Sequence, residues 1–260
     1  MMNSDSRQHA YLKAMGIDIW VRRDAAVVPS LGLSAAGDAL SIGTESATEI
    51  TSDIVTPTLP GKTTVDVSTL DWSGLARQVA NCQLCELHAT RTQAVFGVGN
   101  QQADWLIIGE APGADEDRQG EPFVGRAGQL LNAMLKAIGL MREQVYIANI
   151  LKCRPPNNRD PKPEEAACCS PYLQRQIELI QPKLILALGR IAAQRLLQTN
   201  TSLARLRGQV HTLETTRTPV IVTYHPAYLL RSPAEKRKAW QDLQFAQHFV
   251  AQATAAGSEI

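Results

Sequence analysis

The sequence predicts an α/β fold, a four-stranded parallel central sheet with helices on both faces. Four short apolar runs, at residues 105–108, 145–151, 184–188 and 220–223, have strand length and read as strands buried on both sides. Segments with apolar residues at helical spacing separate them, as crossover connections require. At the carboxyl ends of the runs stand Glu110, Asn149, Gly189 and His225, the place where open α/β sheets bind their ligands.

Length and composition set the limits. The 260 residues allow one sizeable domain with a tail, and 44% hydrophobic content supports a core that is concentrated after Trp105. A net charge of +1 gives no global field, so any basic surface must be local. The polar start, the lack of an apolar run of membrane length and five cysteines point to a reducing, cytoplasmic location. Cysteines there are more often ligands or spare thiols than disulfides. The expected oligomeric state is a monomer.

Three regions follow in order. Residues 1–23 contain a short apolar segment, 7–23, in which Leu12 and Met15 share a helical face before Gly16 breaks it. It reads either as an extra helix on the domain or as a partner-binding peptide. Residues 24–70 have no aromatic residue and a single lysine, Lys62, too little apolar surface to offset chain entropy, so they read as a disordered linker. Residues 71–260 have the composition of a folded domain. Asp71 is placed to cap a helix through Val79. Residues 91–100 read as strand and turn, and 105–109 as a buried strand. The loop 110–122 reads as too acidic and too broken to be helix or core. Leu130, Leu131, Met134, Leu135 and Ile138 then mark a helix that Gly139 ends. Pro163-Glu164-Glu165 starts a helix to about Ile180, a further helix follows Gly189 to Leu197, and the last runs over residues 233–251.

The chemistry converges on the loop after the first strand. Gly109-Glu110-Ala111-Pro112-Gly113 lacks the lysine and glycine spacing of a phosphate loop, and a carboxylate at its tip suits water activation or stabilisation of a cation. Phe123 is either core or one face of a slot for a planar ligand. Asn149 carries a donor and an acceptor side by side, the pair that reads a base edge. His225 offers a donor to a developing anion.

These segments, GEAPGADEDRQGEPFVGRAGQLL, YIANILKCRPPNNRDP and TYHPAYLLRSP, resemble the iron–sulfur uracil-DNA glycosylases, family four, from about Asn81 to Gln244. The resemblance implies a monofunctional base-excision repair enzyme acting on uracil in single- or double-stranded DNA. It implies that Glu110 positions water or stabilises the sugar cation, that Phe123 stacks on the flipped uracil beside Gly109 and Ala111, that Asn149 reads N3–H and O4, and that His225 donates to O2. Glu116 is the candidate for excluding the thymine methyl. The related group that attaches covalently to DNA has GEQPG and a basic insertion, both missing here, and family five has a small residue where this chain has Glu110.

Cys82-x-x-Cys85 has the spacing of half a zinc knuckle, but no second such pair follows. Widely spaced thiolates suit a [4Fe-4S] cluster. Cys169 shares a helical stripe with Ala166, Leu173, Ile177 and Ile180, whereas Cys168 falls with Glu165, Tyr172 and Arg175. The expected ligands are therefore Cys82, Cys85, Cys153 and Cys169, in agreement with the family resemblance, and His88 is a bystander. Basic residues cluster locally, Lys152, Arg154, Arg159 and Lys162 on one loop, Arg205 with Arg207, and Arg231 with Lys236, Arg237 and Lys238, as solvated surface or, for the first and last groups, as phosphate clamps flanking the site. Leu229 and Leu230 are read as core or as a wedge into the base stack. The rival to an enzyme is a non-catalytic iron–sulfur DNA-binding or redox module on the same fold. Lastly, residues 12–23, LKAMGIDIWVRR, resemble the start of the psi subunit of the bacterial replicative polymerase, which implies a clamp-loader partner anchored by Trp20.

Overall fold

The computed structural model describes residues 65–256. Residues 1–64, which hold the apolar peptide and nearly all of the expected linker, lie outside the described residues. The folded part begins earlier than the composition suggests. Val67 is buried with Leu75, Val79 and Tyr172, and Arg175 Nε donates to the Leu70 carbonyl at 3.0 Å.

Helix α1, Trp72–Ala80, starts at Asp71, whose carboxylate accepts the Gly74 amide at 2.7 Å as an N-cap. Strand β1, Val98–Gly99, is a two-residue edge, all that forms of the strand expected within 91–100. Strand β2 is Trp105–Gly109. The acidic loop after it holds a helix, α2, Ala114–Gln119, with Asp117 buried inside, contrary to the expectation of an irregular surface loop. The reason is local pairing: Asp117 accepts the backbone and hydroxyl of Thr92 at 2.9 and 2.7 Å, so the carboxylate is satisfied where it is buried. Helix α3 is Arg126–Ala137, followed by Gly139 at φ +81°, the left-handed position that ends helices.

Strand β3 is Tyr146–Asn149, shorter than the apolar run around it. Helix α4 spans Pro163–Ile180 and buries more than the expected stripe, since Glu165, Tyr172 and Gln176 are buried as well as Ala166, Cys169 and Leu173. Glu165 is accommodated by Arg159, whose guanidinium reaches both carboxylate oxygens at 2.6 and 2.9 Å. Strand β4, Leu184–Leu188, leads to α5, Arg190–Leu196. Helix α6, Leu203–Leu206, and edge strand β5, Val210–Thr212, have no counterpart among the sequence expectations. Strand β6 is Pro219–Thr223. Helix α7, Pro226–Arg231, forms where no helix was expected, and α8, Lys236–Ala256, closes the described chain.

The sheet has six strands in the order β1-β3-β2-β4-β6-β5. The four central strands are mutually parallel, as expected, while β1 and β5 pair antiparallel at the edges. Alternate residues feed two cores. Leu106, Ile108, Ile185, Ala187, Val220 and Val222 face α4 and α5, and Ile107, Ile147, Leu184, Leu186 and Ile221 face α3 and α8. The chain passes from β2 to β3 on one side and then to β4 on the other. That reversal opens a crevice at the carboxyl ends of β2 and β4, the switch point of the sheet.

One buried ion pair fixes the far wall of that crevice. Asp242 of α8 accepts Arg207 Nε at 2.7 Å and the Thr223 hydroxyl at 2.8 Å, which ties the end of β6 to α8 two residues before His225. Removing one partner of such a buried pair leaves an uncompensated charge and costs about 3–5 kcal/mol.

Candidate active site

The site is a cleft of about 400 Å³ over the carboxyl ends of β2, β3 and β6. Of the residues singled out in the sequence, Glu110, Ala111, Glu116, Phe123, Asn149, His225 and Arg231 line it together. They come from segments up to 121 positions apart, so only the sheet topology brings them to one place.

Asn149 forms its floor. The residue is 1% exposed, and among the described residues neither its side-chain nitrogen nor its side-chain oxygen has a hydrogen-bond partner. Almost every buried polar group in a folded protein is paired, because leaving one unpaired costs about 1–3 kcal/mol. A buried amide with both ends open is therefore shaped for something that enters.

Gly109 makes room for it. A Cβ there would collide with Asn149 Oδ1 and would lie 2.6 Å from Phe123 Cζ, so the glycine is where both side chains converge on the end of β2. Phe123 itself is buried and held at φ +56°, a left-handed conformation that bulky residues rarely adopt. Such strain costs about 1–3 kcal/mol and persists only where the surroundings over-determine it. Here they do. Arg142 donates to the carbonyls of Pro122 and Phe123 at 2.6 and 3.3 Å, and Glu116 accepts the Val124 and Gly125 amides at 2.9 and 3.1 Å. Gly128 lets α3 approach so closely that any Cβ would overlap the Phe123 carbonyl. The ring that results lies 5.5 Å from the His225 ring, tilted by 33°.

Glu116 is thus a brace as well as a wall, with its second oxygen accepting the Gly113 amide at 3.1 Å. His225 caps α7. Its Nδ1 accepts the Ala227 amide at 3.2 Å, so the single proton of the neutral ring sits on Nε2. Burial lowers its pKa to about 4, assisted by the positive charge of Arg231, and the ring is neutral at physiological pH. Gly189, at φ +90°, stands where a Cβ would come within 2.9 Å of His225 Cβ. Glu110 follows β2 with its carbonyl accepting the Leu151 amide at 3.0 Å. Burial raises its pKa to about 7; Asp160 adds to the rise and Arg190 opposes it.

The basic residues divide. Lys152 is 1% exposed and its ammonium donates to the Phe96 and Asn149 carbonyls and to Gln176 Oε1, so it is not a phosphate clamp. Arg159 is engaged by Glu165 but lines the cleft. Arg154 does not line the cleft; its Nε reaches Asn158 Oδ1 at 2.8 Å, and Asn158 does. Leu229 is 1% exposed in the core on the α3 side and is not a wedge, because α7 turns that face inward. Leu230, one residue on, is exposed. Two features escape sequence reasoning. Asp160 lines the cleft and acts on Glu110, and exposed Tyr228 stacks on Tyr224 at the cleft rim with centroids 5.3 Å apart. The Arg159-Asp160-Pro161 run after the basic loop is the only signal for the first, and the second depends on recognising α7.

A second, much smaller space of about 10 Å³ is lined by all five cysteines, with His88, Arg91, Lys152 and Tyr172 among its other walls. Cys153 and Cys169 are buried, whereas Cys168 is half-buried with Sγ 3.4 Å from the Leu84 carbonyl. Arg91 donates to Cys153 Sγ at 3.0 Å, and the buried Tyr172 hydroxyl has no hydrogen-bond partner among the described residues. Burial pushes the Cys85 thiol up to about 11 and the Cys169 thiol up to about 12. Among the described residues, no three Cys, His, Asp or Glu side chains are arranged to hold a single metal ion.

The family description "Uracil DNA glycosylase superfamily" matches residues 96–244, more than half of the chain. The type-4 uracil-DNA glycosylase of Archaeoglobus fulgidus is 48% identical over 176 residues, covering 65% of this chain and 88% of that protein. Those of Sulfurisphaera tokodaii and Thermotoga maritima are each 43% identical, over 177 and 180 residues, covering 65% and 68% of this chain and 80% and 93% of theirs. The matched segment contains β2 to β6 and every wall of the cleft, and at this identity it shows that the chain belongs to the uracil DNA glycosylase superfamily, with type-4 enzymes among its relatives.

Proposed function

We propose that this chain excises uracil from DNA, hydrolysing the N-glycosidic bond of a flipped-out deoxyuridine. The observation that carries this reading is the buried, doubly unpaired amide of Asn149. Uracil presents an acceptor at O4 beside a donor at N3, which one asparagine side chain satisfies at once; cytosine presents the reverse pair, which the amide meets only when turned over. The Phe123 ring gives the base a face to stack on, Ala111 lines its path, and Gly109 leaves the space in which Asn149 and Phe123 converge. Glu116, pinned by three backbone amides, is a fixed wall suited to exclude the C5 methyl of thymine.

Bond cleavage sends the electron pair to uracil N1 and leaves the sugar C1′ cationic; water then adds to C1′. Neutral His225 donates Nε2–H to uracil O2 as negative charge develops. Ionised Glu110 stabilises the cation and orients the water. Among the described residues no lysine lines the cleft to serve as an amine nucleophile, which fits a monofunctional hydrolase. Arg154, Arg231 and exposed Leu230 are proposed contacts to the flanking DNA. In alkali-developed cleavage of a uracil oligonucleotide, His225→Ala and Glu110→Ala lose about a hundredfold or more in rate, a loss of roughly 3 kcal/mol. The wild-type rate falls as pH drops through about 7, where Glu110 gains its proton, and Glu110→Gln abolishes that dependence. No cleavage by folded, iron-loaded wild type refutes the assignment.

The cysteine cage is proposed to hold a [4Fe-4S] cluster through Cys82, Cys85, Cys153 and Cys169. A four-iron cluster takes four thiolates, and the cysteines that line this one space supply them. Bound there, it supplies charge and cross-links α1, the β3 loop and α4. Cys169→Ala loses the iron and brown colour, while Cys168→Ala keeps both; loss of iron in Cys168→Ala overturns the ligand set.

The protein is proposed to act in the cytoplasm as a monomer beside the nucleoid; among the described residues no helix is long and apolar enough to cross a membrane. Residues 7–23 are proposed to bind a replication protein of the clamp-loader type, with Trp20 as anchor. This rests on the sequence likeness and on the linker expected over residues 24–64, which as a random coil would span about 35 Å and raise effective concentration. Deleting residues 1–64 leaves excision on naked oligonucleotides unchanged, and a peptide of residues 7–23 captures clamp-loader subunits unless Trp20 is replaced by alanine. A deletion that unfolds the domain contradicts the tether.

A further inference from the structure

Helix α7 divides its side chains between the core and the cleft. Leu229 is packed in the core, whereas Ala227, Tyr228 and Arg231 line the cleft. Tyr228 and Arg231 stand three positions apart, which makes them neighbours on one helical face. Tyr228 is 38% exposed, a large ring left at the mouth of the cleft. A single exposed aromatic residue is ordinary on a protein surface. What sets this one apart is how firmly it is backed.

One face of the Tyr228 ring lies on Tyr224, with centroids 5.3 Å apart and planes 19° from parallel. Among the described residues no other ring stacks on Tyr228. Tyr224 does not line the cleft, so Tyr228 is the outer member of the pair. The inner ring is fixed. The Arg207 guanidinium stands 4.4 Å from the Tyr224 centroid, and its Nη1 donates to the Tyr224 hydroxyl at 3.3 Å. Arg207 in turn donates to both carboxylate oxygens of buried Asp242 at 2.7 and 2.9 Å, and to the Lys238 carbonyl at 2.9 Å. A ring backed in this way presents a preformed face and gives up little rotamer freedom when something stacks on it.

A nucleotide flipped in as far as Asn149 draws its neighbours in the strand to the mouth of the cleft. Each neighbour has lost a stacking partner, which is part of what flipping costs. An exposed aromatic ring beside a cation is the combination that holds single-stranded nucleic acid, the ring taking a base face and the cation a phosphate.

We propose that Tyr228, backed by Tyr224, is a stacking platform for the nucleobase next to the flipped uridine, with Arg231 taking the phosphate beside it. This rests on the reading that the cleft takes a flipped uridine. The platform replaces stacking that the neighbour loses on flipping, and it accepts any base because every base has a π face. It needs no second strand, so it serves uracil in single-stranded DNA.

The test uses the full, iron-loaded chain and single-stranded uracil oligonucleotides. One is intact; the others carry an abasic tetrahydrofuran residue on the 5′ or the 3′ side of the uridine. The wild type must first cleave the intact strand, and failure there refutes the glycosylase reading and not the platform. Wild-type KM is expected to rise about tenfold when the base on one side is missing, and far less when the other is. In Tyr228→Ala, KM on the intact strand rises about tenfold, more than kcat falls, and removing that same base adds nothing further. The inhibition constant for free uracil, which has no neighbour, stays near wild type. Tyr228→Phe keeps the wild-type pattern, because the ring and not the hydroxyl is used. Equal wild-type KM on all three strands overturns the proposal, as does a Tyr228→Ala protein that still loses tenfold with the missing base. If the alanine variant fails to fold, a Tyr228→Phe protein that no longer senses the missing base overturns it instead.

Discussion

An asparagine amide buried with both polar atoms unpaired is unfavourable in the resting fold, and the rest of the site is organised around tolerating it. Asn149 ends a central strand, between β1 and β2, where the backbone has little freedom to move and relieve the deficit. Its neighbours on the β2 side are a glycine and a phenylalanine, whose side chains offer it no hydrogen bond. The deficit is thus preserved for a ligand. Specificity follows from the same deficit, because a base that lacks an adjacent donor and acceptor leaves the amide unsatisfied.

Strain at Phe123 is the second cost carried by the site, and its supports are spread over distant sequence. Arg142, between α3 and β3, and Glu116, in α2, hold the turn from opposite sides, and Gly128 lets the helix close on it. Their hydrogen bonds and close approach set the angle of the ring. His225 is fixed by analogous means, through an N-cap bond and an approach that only a glycine at 189 allows. Positioning is thereby built into the fold before any substrate arrives, which is what lets fixed dipoles act on developing charge.

The parts of this plan legible in the sequence are those with short-range signals. Buried strands announce themselves as apolar runs, so β2, β4 and β6 fall within a residue of expectation, and Pro163 and Gly139 mark helix ends by their own geometry. Edge strand β1 is shorter than the strand expected within 91–100, and edge strand β5 carries only three residues and no apolar run, so nothing in its sequence stands out. Helices α2 and α7 are hidden for a related reason. Their acidic or Pro-flanked sequences look irregular until partners from other segments, Thr92 for Asp117 and the α3 side of the core for Leu229, make burial favourable. Lys152 shows the limit most clearly. A lysine in a basic loop reads as surface, and only the three-dimensional packing of Phe96, Asn149 and Gln176 turns it inward.

The central claim is that the Asn149 amide reads the N3–H and O4 edge of uracil. It is tested most directly by inhibition of oligonucleotide cleavage with free bases, comparing uracil with 3-methyluracil, which lacks the N3 hydrogen but keeps the ring and both carbonyls. Uracil is expected to compete with the substrate and 3-methyluracil is not, and Asn149→Ala loses the distinction. Equal inhibition of the wild type by both bases would contradict the claim.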